Sequence, residues 1–155
     1  MNNYLPIIKQ INQSLNDFNT YLKDGFAVPL LNEIELENQN YYMDLTTFNW
    51  EKEKEWINSG KRGVYFIFGV DMEPPFNLGL YIGKASMTSY FGNRFHSHLY
   101  PSKKEKLHIM RKIFSMELIT TIPIEKKNVF LAPALEEFLI NEMKNKVRLL
   151  NKTGK

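Results

Sequence analysis

Arg94 and His98 stand four residues apart. On a helix they share a face, which sets a guanidinium beside an imidazole. Such a pair can bind a phosphate and move a proton. Two tyrosines sit in short apolar runs, within Gly63-Val64-Tyr65 and Tyr81-Ile82-Gly83, and Lys84 follows the second. Later, Glu136 and Glu137 adjoin Phe138-Leu139-Ile140, and Asn151 follows Leu149-Leu150. A carboxylate beside a phosphate repels it unless a cation intervenes. Mg²⁺ is commonly held by one or two carboxylates, with waters and substrate phosphates completing its shell. Each piece also has an ordinary reading. Arg94 and His98 can be a surface cation and a half-buried histidine, and the tyrosines can be core residues with one hydrogen bond apiece. A glutamate at a helix start compensates the helix dipole.

The elements that must carry these residues follow from periodicity. Val64 to Phe68 is β-branched and aromatic, so it reads as a buried strand. A loop from Asp71 to Asn77, with Pro74-Pro75, leads to a second strand from Leu78 to Gly83. Two glycines inside that strand mark a bulge or a close backbone approach. The two strands are expected to pair as an antiparallel hairpin. Residues 87–99 read as a helix with Phe91, Phe95 and Leu99 as its apolar stripe, ended by Pro101. A basic run follows, with Lys103, Lys104, Lys106, Arg111 and Lys112. Ser115 to Thr121 reads as a third strand, and Pro133 as the start of a helix that buries Leu135, Phe138, Leu139 and Met143.

Upstream, residues 4–23 carry Ile8, Ile11, Leu15, Phe18 and Leu22 at helical spacing, with Gly25 as a stop. This stripe serves core or dimer packing. Residues 26–48 have no clean period and read as an irregular connector. Asn49 can cap a short helix from Trp50 to Ser59, stopped by Gly60. The expected fold is α+β: a small central, mixed or antiparallel sheet of about three strands, flanked by helices. Residues 1–58 form an acidic, mainly helical N-terminal extension and residues 59–155 the domain with the candidate site.

A chain of 155 residues suits one such core. It has no cysteine, so disulfide frames and thiolate metal sites are excluded. His96 and His98 resemble a metal pair, but positions two apart on a helix point away from each other. No apolar run approaches the ~20 residues that span a bilayer, so no membrane partner is expected. The N-terminus lacks a signal peptide's basic region, and a cytoplasmic location is the default. The net charge is only +3. Residues 1–58 hold four Lys/Arg against nine Asp/Glu, a balance of −5, and residues 59–155 hold sixteen against eight, +8. A basic block around the candidate site suits a phosphate-rich ligand.

The full ordered set resembles the GIY-YIG nuclease family. Gly63-Val64-Tyr65 and Tyr81-Ile82-Gly83 stand for the two tripeptides, with Val64 in place of Ile and Lys84-Ala85 as a common continuation. Arg94 and His98 match the family's arginine and the His or Tyr four residues on. Leu135-Glu136-Glu137-Phe138-Leu139-Ile140 matches the context of its metal-binding glutamate, with Glu136 as the ligand and Glu137 as the rival. Leu149-Leu150-Asn151 matches the closing asparagine. The similarity covers residues 63–151.

The resemblance implies a metal-dependent endonuclease that hydrolyses DNA phosphodiesters with one Mg²⁺ or Mn²⁺ on Glu136. It implies that Arg94 stabilises the transition-state charge, Tyr65 helps to deprotonate water, and Tyr81 and His98 position the phosphate or relay protons. Gly83 then permits close approach, Lys84 contributes positive charge, and Asn151 orients the site by hydrogen bonds. RNA stays open as a substrate, and a homodimer is an expectation for cutting both strands. The alternative is a non-catalytic or partner-dependent nucleic-acid-binding module on the same scaffold.

Overall fold

The computed structural model describes residues 2–47, 56–99 and 114–151. Its centre is a five-stranded sheet in the order β1-β4-β2-β3-β5. The strands are β1 (Tyr42–Asp44), β2 (Gly63–Asp71), β3 (Leu78–Ala85), β4 (Phe114–Pro123) and β5 (Arg148–Leu149). All neighbours are antiparallel except β3 and β5, which run parallel. The sheet is therefore mixed, and larger than the three strands expected. The extra strands, β1 and β5, have three and two residues. Neither is long enough to display a period of two, and β1 lies inside the segment read as an irregular connector.

The α-helices among the described residues are α1 (Leu5–Thr20), α2 (Phe91–Leu99) and α3 (Leu131–Met143). α1 ends at Thr20 rather than residue 23. α2 starts at Phe91 rather than residue 87, after a turn in which Met87 has φ +53°. α3 starts two residues before Pro133. A proline there removes no helical hydrogen bond, because the first four N–H groups of a helix have no partner within it. The expected helix from Trp50 to Ser59 lies mostly outside the described residues, and residues 57–60 form a turn. The basic run 103–112 and Pro101 also lie outside them.

Strand alternation divides the core between the two faces of the sheet. Val64, Phe66 and Phe68 of β2 join Leu80 and Ile82 of β3 on one face, under Ile8, Ile11 and Leu15 of α1 and Leu135, Leu139 and Met143 of α3. Tyr65 and Ile67 point the other way and pack with Ile119, Phe91 and Phe95. Gly69 and Gly79 lie opposite each other across β2 and β3. A Cβ on either would come within 2.7 Å of the Phe114 ring, so the ring covers both glycines.

The described part of the acidic segment shares this core. Ile8, Ile11 and Leu15 are fully buried, so the stripe read as core or dimer packing is core. Residues after α1 are held by asparagines that act as one-residue strands. Asn12 gives its Nδ2 to Leu31 O at 2.9 Å and accepts Leu31 N–H at 2.8 Å. Asn19 treats Val28 the same way, at 2.9 and 2.7 Å.

Candidate functional site

The β2–β3 register sets Tyr65 opposite Gly83 and Ile67 opposite Tyr81. The two tyrosines are therefore diagonal neighbours on one face, with ring centroids 6.2 Å apart. The Tyr65 ring meets Phe95 and Phe91 edge-on at 5.3 and 6.2 Å and is only 1% exposed. Gly83 provides the fourth side of this box. A Cβ there would stand 2.8 Å from Tyr65 Cε1 and closer still to its Cζ and hydroxyl.

On α2, Phe91, Phe95 and His98 occupy successive turns of one face. His98 is thus buried, not half-buried, and its ring lies 4.9 Å from that of Tyr81. His98 Nε2 and the Tyr65 hydroxyl share a hydrogen bond of 2.5 Å. His98 Nδ1 is also buried and has no hydrogen-bond partner among the described residues. His96 is exposed, in keeping with the opposed directions expected of the two histidines. Arg94 is exposed at the rim and donates its Nε–H to Lys84 O at 3.0 Å.

The outer edge of β3 explains where Arg94 and Asn151 come in. Backbone groups along an edge strand need partners other than another long strand. Leu150 N–H donates to Leu80 O at 2.9 Å, just past β5. Asn151 then clamps Ile82, accepting its N–H at 2.9 Å and donating to its O at 2.6 Å. Arg94 completes the row at Lys84. Asn151 and Arg94 therefore hold the Tyr81-Ile82-Gly83 strand from its open side.

Lys84 points to the α3 face of the sheet, where its ammonium pairs with Glu136 Oε2. Glu136 follows the buried Leu135 and is half-buried, whereas Glu137 is exposed. Of the two rivals, Glu136 is the one whose negative charge reaches both tyrosines. The eight sequence-selected residues therefore gather at one end of the β2–β3 hairpin. Tyr65, Tyr81, Gly83, Arg94 and His98 approach from the α2 side, Lys84 and Glu136 from the α3 side, and Asn151 from the open edge of β3.

Burial dominates the protonation of this cluster. It raises Tyr65 well above the ordinary phenol value, with Tyr81 adding to the effect and the Arg94 charge opposing it. Tyr81 is raised by burial and by Glu136. His98 is pushed down from 6.5 to about 4, by burial first and by Arg94 second. Tyr65, Tyr81 and His98 are thus neutral near pH 7.

Among the described residues, no three His, Cys, Asp or Glu side chains cluster to hold an ion. The donor set available is the single Glu136 carboxylate, which is paired with the Lys84 ammonium. That set fits Mg²⁺, which keeps waters and substrate oxygens in its shell, and does not fit a caged zinc.

One feature near the site has no counterpart in the sequence reading. The Arg62 guanidinium lies 4.2 Å above the centre of the Tyr90 ring. The two are 28 positions apart, with no spacing motif between them.

Comparison with protein-family models, curated proteins and solved structures gives no significant match. No described helix is long and apolar enough to cross a membrane.

Proposed function

We propose that the chain is a metal-dependent endonuclease that hydrolyses DNA phosphodiesters, working in the manner of the GIY-YIG nucleases it resembles. The observation that carries this reading is the Tyr65–His98 hydrogen bond, set beside Arg94 and within the field of Glu136. A neutral imidazole with Nε2 unprotonated accepts the Tyr65 proton. Tyr65 in turn takes a proton from the attacking water. The water oxygen forms a bond to phosphorus, the bond to the leaving oxygen breaks, and that oxygen takes a proton from solvent, while the His98 imidazolium returns its own proton to solvent and restores the neutral pair. Burial opposes a charge on His98, and the phosphate's negative charge offsets that penalty. Arg94 binds the equatorial oxygens as charge develops on them. Asn151 keeps the β3 backbone, and with it Tyr81 and Gly83, in place. Glu136 would hold the Mg²⁺ or Mn²⁺, which when bound supplies positive charge to the phosphate.

The test is cleavage of supercoiled plasmid with Mg²⁺, Mn²⁺ or EDTA, beside Glu136→Ala. Metal-dependent nicking that disappears in the variant supports the reading. Activity that survives in Glu136→Ala, or persists in EDTA, refutes it.

A second reading has one observation in its favour. Lys84 already neutralises Glu136, so the carboxylate can lie near phosphates without a metal. A non-catalytic DNA-binding module would then retain plasmid without cutting it, and Lys84→Met would weaken that retention.

A further inference from the structure

Beside the site runs a groove of about 570 Å³, lined by Lys61, Arg62, Tyr90, Pro123, Glu125 and Lys126. It opens at the same end of the sheet as Lys84 and Arg94. Arg62 directly precedes β2, and Tyr90 lies one helical turn before Arg94, whose N–H donates to Tyr90 O at 3.2 Å. At a 5.4 Å helical pitch and 3.3 Å per strand residue, the groove lies roughly 5–10 Å from Arg94 and Tyr65.

Its chemistry differs from that of the site. Three cations line it, and the Glu125 charge is partly offset by Lys127 at 3.0 Å. Tyr90 keeps 42% of its surface exposed although Arg62 covers one face. The Arg62 stem is steadied by a bond from its Nε to Ser89 O at 3.3 Å. An exposed aromatic stacked with a guanidinium in a basic channel is how proteins take up unpaired bases: the rings stack and the cations follow the backbone. A paired duplex offers no free base face to such a platform.

We propose that this groove is a subsite for unpaired DNA flanking the bond to be cut, with one base stacked on the Tyr90–Arg62 platform and phosphates against Lys61 and Lys126. The inference rests on the nuclease reading for the position of the cut strand, and it names the substrate as DNA with a single-stranded stretch beside the cleavage point.

The test is binding in EDTA, where no cutting is expected. The probes are a single-stranded oligonucleotide carrying 2-aminopurine and a blunt duplex of the same sequence. Wild type is expected to quench the 2-aminopurine and to prefer the single strand. Tyr90→Ala should weaken single-strand binding by about fivefold or more, the effect of losing one base stack. Tyr90→Phe keeps the ring and should bind like wild type, which separates stacking from folding. Lys126→Ala should lower the salt slope by about 0.7. If Tyr90→Ala binds and quenches like wild type, the inference falls even where the plasmid is cut. If wild type prefers the duplex, it falls as well. Tyr90-dependent quenching by a protein that, with Mg²⁺ or Mn²⁺, cuts neither plasmid nor a duplex bearing a single-stranded flap upholds the groove as a single-strand site and refutes the nuclease reading alone.

Discussion

Acidification should destabilise this protein through His98, and the size of the effect follows from its burial. In the native state the imidazole is held near 4, against 6.5 when free. Above 6.5 both states leave it neutral, and its contribution to stability is present in full. Below 6.5 the unfolded chain binds a proton that the native state refuses, so stability falls as pH falls, until the native value is reached. Each pH unit in that window costs about 1.4 kcal/mol, for a total of about 3 kcal/mol. That is a large share of the ~5–15 kcal/mol typical of a domain. The assay is urea unfolding from about pH 7.5 to about pH 4.5 for wild type and His98→Gln. Carboxylates titrate in both proteins, so the difference between the two curves isolates His98. The wild-type curve should be steeper by about 1.4 kcal/mol per pH unit, whatever the offset at neutral pH. In histidine C–H NMR spectra, one of the three imidazoles should stay unshifted until about pH 4. Parallel stability curves, or a His98 imidazole that titrates near 6.5, would refute the reasoning, because the enclosure of His98 by Tyr65 and Tyr81 would then be absent in solution.

Gly83→Ala drives a methyl into the Tyr65 ring, which Phe91 and Phe95 prevent from retreating. It should cost about 1–3 kcal/mol and lower the thermal midpoint by about 2–4 °C per kcal/mol, with loss of DNA cleavage. Gly60→Ala, with nothing within 4 Å of the added Cβ, should leave the midpoint unchanged. Asn151→Ala leaves both backbone groups of Ile82 without their partners and should cost about 1–3 kcal/mol in urea unfolding. Asn151→Asp should not rescue it, since a carboxylate cannot donate to Ile82 O. Ile11→Ala empties a fully buried position under the sheet and should cost about 2–5 kcal/mol. A loss below ~0.5 kcal/mol, the level of ordinary surface changes, would show that α1 is not part of the core.

Much of this molecule could be read along the chain. Val64 to Phe68 announces a strand, because β-branched and aromatic side chains suit a pleated surface. The Phe91/Phe95 and Ile8/Ile11/Leu15 stripes announce helices, because residues three and four apart share a side. The residues of the candidate site stand out along the chain only as an ordered set, through its resemblance to the GIY-YIG pattern; taken singly, each has an ordinary structural reading. Other features depended on the third dimension. β1 and β5 exist only because β4 and β3 offer them edges; strands of three and two residues carry no period of their own. His98 could have been a rim histidine until α2 docked and pressed it between two tyrosines, where desolvation sets its charge. Glu136 and Glu137 are adjacent rivals in sequence, and the rotation of α3 on the sheet turns Glu136 toward Lys84. The Arg62–Tyr90 platform joins two segments that meet only when the ends of β2 and β3 are brought together. Local pattern determines which elements form, because periodicity is a property of neighbours. Packing decides which side chains lose water and which charges come together, because both depend on what the rest of the chain places against them.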